Sequence, residues 1–275
     1  MKPFSKRSLL LSLCCAMSLF AQSAFADLDQ LRHTGVLKVA VYNDMQPFSG
    51  KSGGIDVDFA NALGKKLGLR VNLLPFDAGE NLDDDLRNMV WKGHYLGYGP
   101  ADVMMHVPVD RRLMAENKKV SIFAPYYRDR VRLVRNARAI PDCESVDCLV
   151  GKRVGAEKVS IAAMVLLGEQ GGKVRDSVKI YDTAAAALAA LKAGELDAVL
   201  ANQSEIESVV HGDAGFPLSD LFFARLPRQG WVVGMAVRQD DVELARALQA
   251  AVNEMEASGE LAQIFAKYGV TQVKP

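Results

Sequence analysis

The sequence predicts an α/β protein made of two similar halves, with a cleft between them. Strand-like and helix-like hydrophobic patterns alternate along the chain, as in sheets that are covered by helices. The alternation is interrupted around residues 120–135 by extended segments and starts again at Gly151. Two α/β halves joined by extended segments predict two lobes, and small ligands bind in clefts of this kind.

The first half contains three predicted strands and two predicted helices. The predicted strands cover residues 36–41, 71–76 and 102–105, and the predicted helices cover 57–67 and 82–92. In the first helix, Phe59, Leu63 and Leu67 recur every four residues and so share one face. Gly68 follows as the expected C-cap residue. Asp83–Asp85 stand at the start of the second helix, where acidic side chains suit the helix dipole.

The second half repeats this alternation. Its predicted strands cover residues 131–134, 151–156, 178–181, 196–201 and 231–237. Its predicted helices cover residues 161–167, an alanine-rich stretch from Thr183 to about Gly194, a segment around 244–255, and 261–268. Thr183 is the expected N-cap of the alanine-rich helix, because its hydroxyl can accept a hydrogen bond from a free backbone N–H group.

Residues 1–26 are predicted to be a secretory signal that directs the protein to the periplasm. The segment has a basic start, an apolar core over 8–20 and a small-x-small cleavage site at Ala24-Phe25-Ala26. The alternative is a transmembrane anchor, but the apolar run is shorter than the roughly 20 residues that a membrane span needs.

The balance of charges makes nucleic acid and anionic membranes unexpected partners. The chain has 33 basic and 33 acidic residues, and cleavage of the signal removes three basic residues and no acidic one. The mature chain is therefore mildly acidic, whereas polyanion-binding proteins carry excess positive charge.

Only Cys143 and Cys148 remain after cleavage, since the other two cysteines lie in the signal. Two nearby cysteines in an oxidising compartment are expected to form a disulfide, which stabilises little because the closed loop is short. The C-x4-C spacing is too open for a CxxC redox motif. A metal site is the alternative, but no histidine lies near in sequence.

Five segments lie in order along nearly the whole mature chain: Gly54–Asp58, Val120–Tyr127, Leu149–Gly155, Ala187–Val199 and the closing Ser258–Gly269. The first four resemble the patterns G-F-D-V-D, V-x-F-S-x-P-Y-Y, L-x-G-K-x-V-G and A-L-x-x-L-x-x-G-x-x-D-A-V, and the fifth resembles the closing helix, of the polar amino-acid type (family 3) of periplasmic solute-binding proteins of ABC importers.

This resemblance implies the type 2 periplasmic binding protein fold, with two lobes, a central cleft and a two-segment hinge. Residues 27–130 and 231–275 would form lobe one, and residues 131–230 lobe two. The expected function is capture of a small polar or anionic solute, amino-acid-like or a carboxylate, for an ABC permease. Closure about the hinge requires a ligand that contacts both lobes. A monomer without catalytic activity, cofactor or metal is expected.

The binding positions depart from the family pattern. The family's carboxylate-binding arginine aligns with Glu116, and Arg111 and Arg112 come four or five residues earlier. In place of the family's Gly-Ser-Thr turn, this chain has Lys-Val-Ser-Ile at residues 158–161. In place of the acid that usually pairs with the ligand's amino group, it has Asn202. Together these departures argue against an ordinary α-amino acid as the ligand.

The candidate ligand-binding residues each have a structural alternative. They are Phe48, His106, Arg111, Arg112, Ser160 and Asn202. Phe48 stacks on a ligand or packs in its loop, and His106 faces the cleft or is a structural histidine. The arginines contact an anion or are solvated. Ser160 binds an anion with helix N-terminal amides or is an N-cap.

Two alternative functions follow from the same resemblance. The G-x-x-D-V-x-M-x-V-P pattern around Asp102 is similar to binding-protein homologues associated with periplasmic quinoprotein (methanol or alcohol) dehydrogenases, which implies an accessory protein. Some family relatives are periplasmic dehydratases, for which Glu116 or Glu157 would supply the acid or base. The sequence lacks H-E-x-x-H and P-loop motifs.

Overall fold

A computed structural model describes residues 26–168, 171–224, 226–227 and 229–275. The predicted secretory signal therefore lies, apart from Ala26, outside the described residues. The chain begins with α1 (Ala26–Thr34), β1 (Val36–Tyr42), α2 (Ile55–Leu67), β2 (Arg70–Phe76), α3 (Leu82–Leu86), a π-helical turn (Arg87–Trp91), β3 (Val103–Pro108), α4 (Arg111–Glu116) and β4 (Val120–Asp129). It continues with β5 (Val131–Arg135), β6 (Val154–Glu157), α5 (Ile161–Gly168), β7 (Val178–Tyr181), α6 (Ala184–Lys192), β8 (Ala198–Asn202), α7 (Gln203–Val210) and β9 (Leu218–Ser219). It ends with β10 (Trp231–Arg238), α8 (Val242–Ser258) and α9 (Glu260–Lys267).

The strands form two five-stranded sheets, which confirms the predicted two-lobed α/β fold. The order is β2-β1-β3-β10-β4 in one sheet, called lobe one with its helices, and β7-β6-β8-β5-β9 in the other, called lobe two. In lobe one, β1 runs parallel to β2 and β3, and β10 runs antiparallel to β3 and β4. The chain thus leaves lobe one after β4 and returns to it at β10.

Helices cover both faces of each sheet, and apolar side chains fill the space between. In lobe one, α2, α8 and α9 pack on one face around Phe59, Leu248 and Phe265. The π-helical turn covers the other face with Met89 and Val90. Lobe two also has two clusters, which pack α5 and α6 against opposite faces of its sheet. This is the layered arrangement expected of an α/β fold.

Each predicted strand and helix of the described part is present, with shifts of a few residues at the ends. Thr183 caps α6 by accepting a hydrogen bond from Ala186 N, and Gly68 ends α2 at φ 71°. The predicted helix over 82–92 consists of α3 and the π-helical turn. Sequence analysis missed α1, α4, α7, β4 and β9, which are mostly short, polar or next to the interruption in the pattern.

The disulfide between Cys143 and Cys148 is present, with a Cα–Cα distance of 5.4 Å, as predicted. It closes a short surface loop at the start of lobe two. Within the described ranges, no helix is long and apolar enough to cross a membrane.

The two lobes are joined where β4 passes into β5 and where the chain returns to β10. Asp129, at the end of β4, pairs with Trp231, at the start of β10. The buried Asp129 carboxylate accepts hydrogen bonds from Ser204 Oγ at 2.5 Å and from Arg130 N at 2.9 Å. Because Ser204 lies on α7, this carboxylate ties the crossing strands to a helix of lobe two.

Candidate functional site

A cleft of about 580 Å³ lies between the lobes. This volume suits a small molecule. Lobe one lines it with the loop after β1 and the end of β3, and lobe two lines it with β6, α5, α6 and α7. The lining residues are Tyr42, Asp44, Met45, Gln46, Phe48, Leu82, His106, Pro108, Asp129, Glu157, Ile161, Thr183, Ala184, Ala185, Leu188, Asn202, Ser204, Glu205, Ser208, Val209, Trp231 and Val233.

His106 lies in the cleft because of a bulge in β3. Met104 pairs with Ala236 and Val107 pairs with Gly234, so two residues of β3 face one residue of β10. At this bulge, His106 adopts φ 60°, a left-handed conformation that few non-glycine residues adopt. Bulges re-aim side chains next to functional sites, and here the result is a histidine that lines the cleft.

A buried carboxylate holds the His106 ring in place. Asp56 Oδ2 lies 3.1 Å from His106 Nδ1, and Asp56 Oδ1 accepts a hydrogen bond from Tyr126 Oη at 2.7 Å. The backbone N–H of His106 in turn donates to Tyr126 Oη at 3.2 Å. This closed network of three residues fixes both the backbone and the ring of His106.

Phe48 packs mainly in the core of lobe one, although it also lines the cleft. It is 3% exposed, and its ring centroid lies 4.2 Å from His106 and 5.4 Å from Tyr127. Phe48 therefore packs against the His106 ring, and little of its own surface is exposed in the cleft.

Carboxylates from both lobes face the cleft. Asp44 comes from lobe one and Asp129 from the crossing strands, while Glu157 and Glu205 come from β6 and α7 of lobe two. Glu157 Oε2 accepts a hydrogen bond from Ala184 N at 3.3 Å, and Glu205 Oε2 accepts one from Asn202 N at 2.9 Å. Among the described lining residues there is no lysine and no arginine.

The environment of these acids favours their protonated forms. Burial is the main cause that raises the pKa of Glu205 to about 8, and the neighbouring Glu157 and Asp129 carboxylates add to it. Burial also raises the pKa of Glu157, with a contribution from Asp44 across the cleft, and the pKa of Asp129. Desolvation and like charges both disfavour an ionised carboxylate. The described lining of the cleft thus brings four carboxyl groups together without a lysine or arginine side chain.

Glu205 is expected to make the folded protein less stable as the pH rises from about 4.5 to about 8. In this range the unfolded chain has lost the Glu205 proton and the folded chain has kept it, so the free energy of unfolding falls with pH. Glu205→Gln removes this contribution. The free energy of unfolding of the variant, relative to that of the wild type, should therefore rise by on the order of 4 kcal/mol from pH 5 to pH 9. Urea unfolding at several pH values measures it.

The surface variant Glu116→Gln is the matched control and should keep the wild-type pH dependence, because Glu116 is exposed on α4. Equal pH dependence in Glu205→Gln and in the wild type would contradict the assignment of the raised pKa to Glu205.

Asn202 lines the cleft, whereas the Ser160 hydroxyl forms its hydrogen bonds with neighbouring backbone groups. Asn202 precedes α7, and its N–H donates to the Glu205 carboxylate, one half of a capping box. Ser160 Oγ donates to Glu157 O at 2.7 Å and accepts from Ala163 N at 3.0 Å. Ser160 therefore caps α5. It lines a smaller adjoining cavity of about 170 Å³, shared with Asn202 and Trp231.

Arg111 and Arg112, predicted as anion contacts, lie outside the cleft lining. Asp110 caps α4 by accepting hydrogen bonds from Arg112 N and Leu113 N, which starts a helix on the surface. The Arg112 side chain is 85% exposed, and its Nε donates to Glu116 Oε1 at 2.8 Å. Both arginines are exposed on the surface helix α4, and neither is among the described residues that line the cleft.

Sequence analysis did not select Asp44, Glu205 or Trp231, and it considered Glu157 only as a dehydratase carboxylate. For Glu205 a signal was present, because an asparagine followed three residues later by glutamate is typical of a helix start. No local pattern indicated Asp44 or Trp231, which reach the cleft through the loop after β1 and the strand that returns to lobe one.

The lining acids do not form a metal centre. In the part of the chain that the structure describes, no three histidine, cysteine, aspartate or glutamate side chains come together in a way that could hold a metal ion. Hydrophobic side chains such as Trp231, Ile161 and Leu188 line the same cleft as the acids.

No family model matches the sequence. Among curated proteins, the chain is 23% identical over 255 residues to the L-cystine-binding protein TcyJ of Escherichia coli K12, with 89% of this chain and 88% of that protein covered. It is 27% identical over 250 residues to the L-arginine-binding protein of Pseudomonas aeruginosa, with 84% of this chain and 87% of that protein covered.

The fold is also similar to that of solved structures of amino-acid-binding proteins. The ancestral cationic amino acid solute-binding protein AncCDT-1 matches with a TM-score of 0.69 and 20% identity over 88% of this chain and 99% of that chain. A further structure of that protein is described as a precursor of cyclohexadienyl dehydratase, with a TM-score of 0.58, 20% identity and coverage of 88% and 98%. In sequence, the chain is thus similar over most of its length to an L-cystine-binding and an L-arginine-binding protein, and in fold it is similar to a solved amino-acid-binding protein.

Proposed function

We propose that this protein is a periplasmic substrate-binding protein, which captures a small polar solute in the cleft and delivers it to an ABC permease. The observation that carries the proposal is the cleft itself, because both lobes line it with polar groups and lobe one adds aromatic rings. A ligand that contacts both lobes stabilises the closed form. We further propose that the protein is a monomer, that the predicted signal exports it, and that it has no catalytic activity.

The moving bodies that we propose are residues 27–130 with 231–275, and residues 131–230. The two sheets are separate, and the chain crosses between them near Arg130 and near Gly230. The Asp129–Ser204 hydrogen bond lies at the crossing. It supports a hinge at this point, about which the cleft narrows when a ligand binds.

A thermal-shift screen of residues 27–275 against amino acids, small carboxylates, alcohols and amines tests the proposal. A ligand present at about 100 times its Kd should add about 2.7 kcal/mol to the free energy of unfolding, which is a rise of several degrees in Tm. Small-angle X-ray scattering should then show a smaller radius of gyration. The proposal fails if neither quantity changes with any compound of the panel.

For any ligand found, Asn202→Ala should weaken binding, and Arg111→Ala/Arg112→Ala should leave the Kd unchanged within about twofold. The reason is that Asn202 lines the cleft, whereas the two arginines lie on the exposed α4. Isothermal titration calorimetry measures both. An arginine double variant that loses binding would contradict the assignment of the cleft as the binding site.

A second candidate function is that of an accessory protein for a periplasmic quinoprotein dehydrogenase. The loop between the π-helical turn and β3 favours it, because Tyr95, Leu96 and Tyr98 are 88%, 69% and 44% exposed in one short segment. Clustered exposed apolar side chains are typical of protein interfaces. Co-elution with a purified quinoprotein methanol dehydrogenase in size-exclusion chromatography, lost in Tyr95→Ser/Leu96→Ser, would support it; separate elution would count against it.

A dehydratase is the third candidate, favoured by one arrangement. Glu205, which keeps its proton near neutral pH, and His106, oriented by Asp56, line the same cleft and could act as acid and base. Loss of water from a cyclohexadienyl carboxylate, followed by absorbance, tests it. We expect no turnover; turnover that Glu205→Gln abolishes would replace the binding function with an enzymatic one.

A further inference from the structure

We propose that the cleft binds a small aliphatic amine or guanidine without a carboxylate group, with each cationic end held by carboxylates of the lining. This inference rests on the proposed function and specifies the chemical class of its solute. The proposed ligand differs from a zwitterionic amino acid, because the carboxylate of an amino acid would need a positively charged or hydrogen-bonding partner in the cleft.

The acids of the cleft lining come from both lobes. Asp44 lies in lobe one, Glu157 and Glu205 lie on β6 and α7 of lobe two, and Asp129 ends β4 at the crossing between the lobes. A ligand cation placed among them contacts both lobes, as closure requires.

The basic side chains near the cleft pair with polar groups outside the cleft lining. Lys158 Nζ lies 2.8 Å from Asp182 Oδ1 at the surface. Arg132 Nε lies 2.8 Å from Asp220 Oδ1, and Arg130 Nε donates to Gln203 Oε1 at 2.9 Å. Among the described lining residues, only the His106 imidazole can carry a positive charge.

Two of the side chains predicted to bind a ligand carboxylate, Ser160 and Arg112, also form other hydrogen bonds or ion pairs. The Ser160 hydroxyl both donates to and accepts from the backbone of its own helix turn. Arg112 is paired with Glu116 on the exposed α4. A carboxylate in the cleft would therefore lie among other carboxyl groups, with no lysine or arginine in the described lining to compensate its charge, which is costly in a partly desolvated site.

The hydrophobic part of the lining suits the carbon chain of such a ligand. Trp231, Ile161 and Leu188 line the same cleft as the acids. An indole ring beside an ammonium or guanidinium group also attracts it through the cation–π interaction. Burial is the main cause of the raised pKa of Glu205, and the nearby Glu157 and Asp129 carboxylates raise it further.

Two matched pairs of compounds test the inference directly. Agmatine is arginine without its carboxylate, and 1,4-diaminobutane is ornithine without its carboxylate. In isothermal titration calorimetry at pH 7, agmatine or 1,4-diaminobutane should bind at least tenfold more tightly than the corresponding L-amino acid. Binding should also release protons, because a nearby cation lowers the pKa of Glu205, and titrations in buffers of different ionisation enthalpy measure that release.

Glu157→Gln and Glu205→Gln should each weaken binding of the decarboxylated compound by tenfold or more. Glutamine keeps the size and hydrogen-bond acceptor of the side chain, so the cap on α7 is preserved, and circular dichroism checks the fold. Glu116→Gln removes one negative charge from the exposed α4, outside the cleft, and should bind like the wild type.

The inference is overturned if arginine or ornithine binds as tightly as its decarboxylated partner; the proposed solute-binding function would then stand. It is also overturned if none of the four compounds binds. In that case a solute found elsewhere in the thermal-shift panel would preserve the proposed function, and an entirely silent panel would refute both.

Discussion

Replacing Asp56 with alanine is expected to lower the free energy of unfolding by about 3 to 5 kcal/mol, because it removes the shared acceptor of a buried network. The Asp56 carboxylate is 1% exposed and is bonded to Tyr126 Oη and His106 Nδ1. Tyr126 is fully buried, so its hydroxyl cannot turn to water for a new acceptor. Urea unfolding of both proteins at one pH gives the difference.

The network predicts strong coupling between its members. Tyr126→Phe alone should cost about 1 to 3 kcal/mol, because it leaves one Asp56 oxygen and the His106 N–H without their partner. The double variant Asp56→Ala/Tyr126→Phe should cost clearly less than the sum of the two single changes. Asp56→Asn, which retains an acceptor, should be milder than Asp56→Ala. Additive single changes would show that the three residues do not act as one network.

This network also explains why the sequence alone indicated His106 without giving its geometry. The strand that precedes it was predicted from its apolar run, and ligand sites form where such strands end. The bulge depends on how β3 pairs with β10, a strand more than 100 residues later in the chain. Pairing over such distances leaves no local pattern, and therefore neither the bulge nor the Asp56 contact was predictable.

The fold was largely predictable, because it depends on features that repeat within short windows. Phe59 and Leu63 recur on one face of α2, Gly68 ends that helix, and the interruption around residues 120–135 contains the passage from one sheet to the other. The charge of the cleft was not predictable in the same way. Asp44 and Glu157 are 113 residues apart in the chain and meet only because the lobes face each other. Arg111 and Arg112 were candidate anion contacts because they lie only four or five residues before the position that aligns with the family's arginine. The capped helix α4 instead exposes them to solvent.

Gly230→Ala is expected to destabilise the protein by about 3 kcal/mol or more, because the new methyl group has no room at the crossing of the lobes. Gly230 has φ +67°, and a Cβ atom there would lie 1.8 Å from the carbonyl oxygen of Asp129. The next residue, Trp231, pairs with Asp129. The strands must therefore separate, which also moves the Asp129 carboxylate away from Ser204. Thermal and urea unfolding measure the loss of stability.

Gly151→Ala separates the effect of this contact from that of the backbone conformation. Gly151 has φ +72°, almost the same as Gly230, and a Cβ atom there would have nothing within 4 Å. It should cost only the roughly 1 to 2 kcal/mol of an alanine in the left-handed region. The excess cost of Gly230→Ala then measures how closely the two strands approach at the hinge. If the two variants lose the same stability, the strands at the crossing can move apart freely, and Gly230 is required for its backbone angle alone.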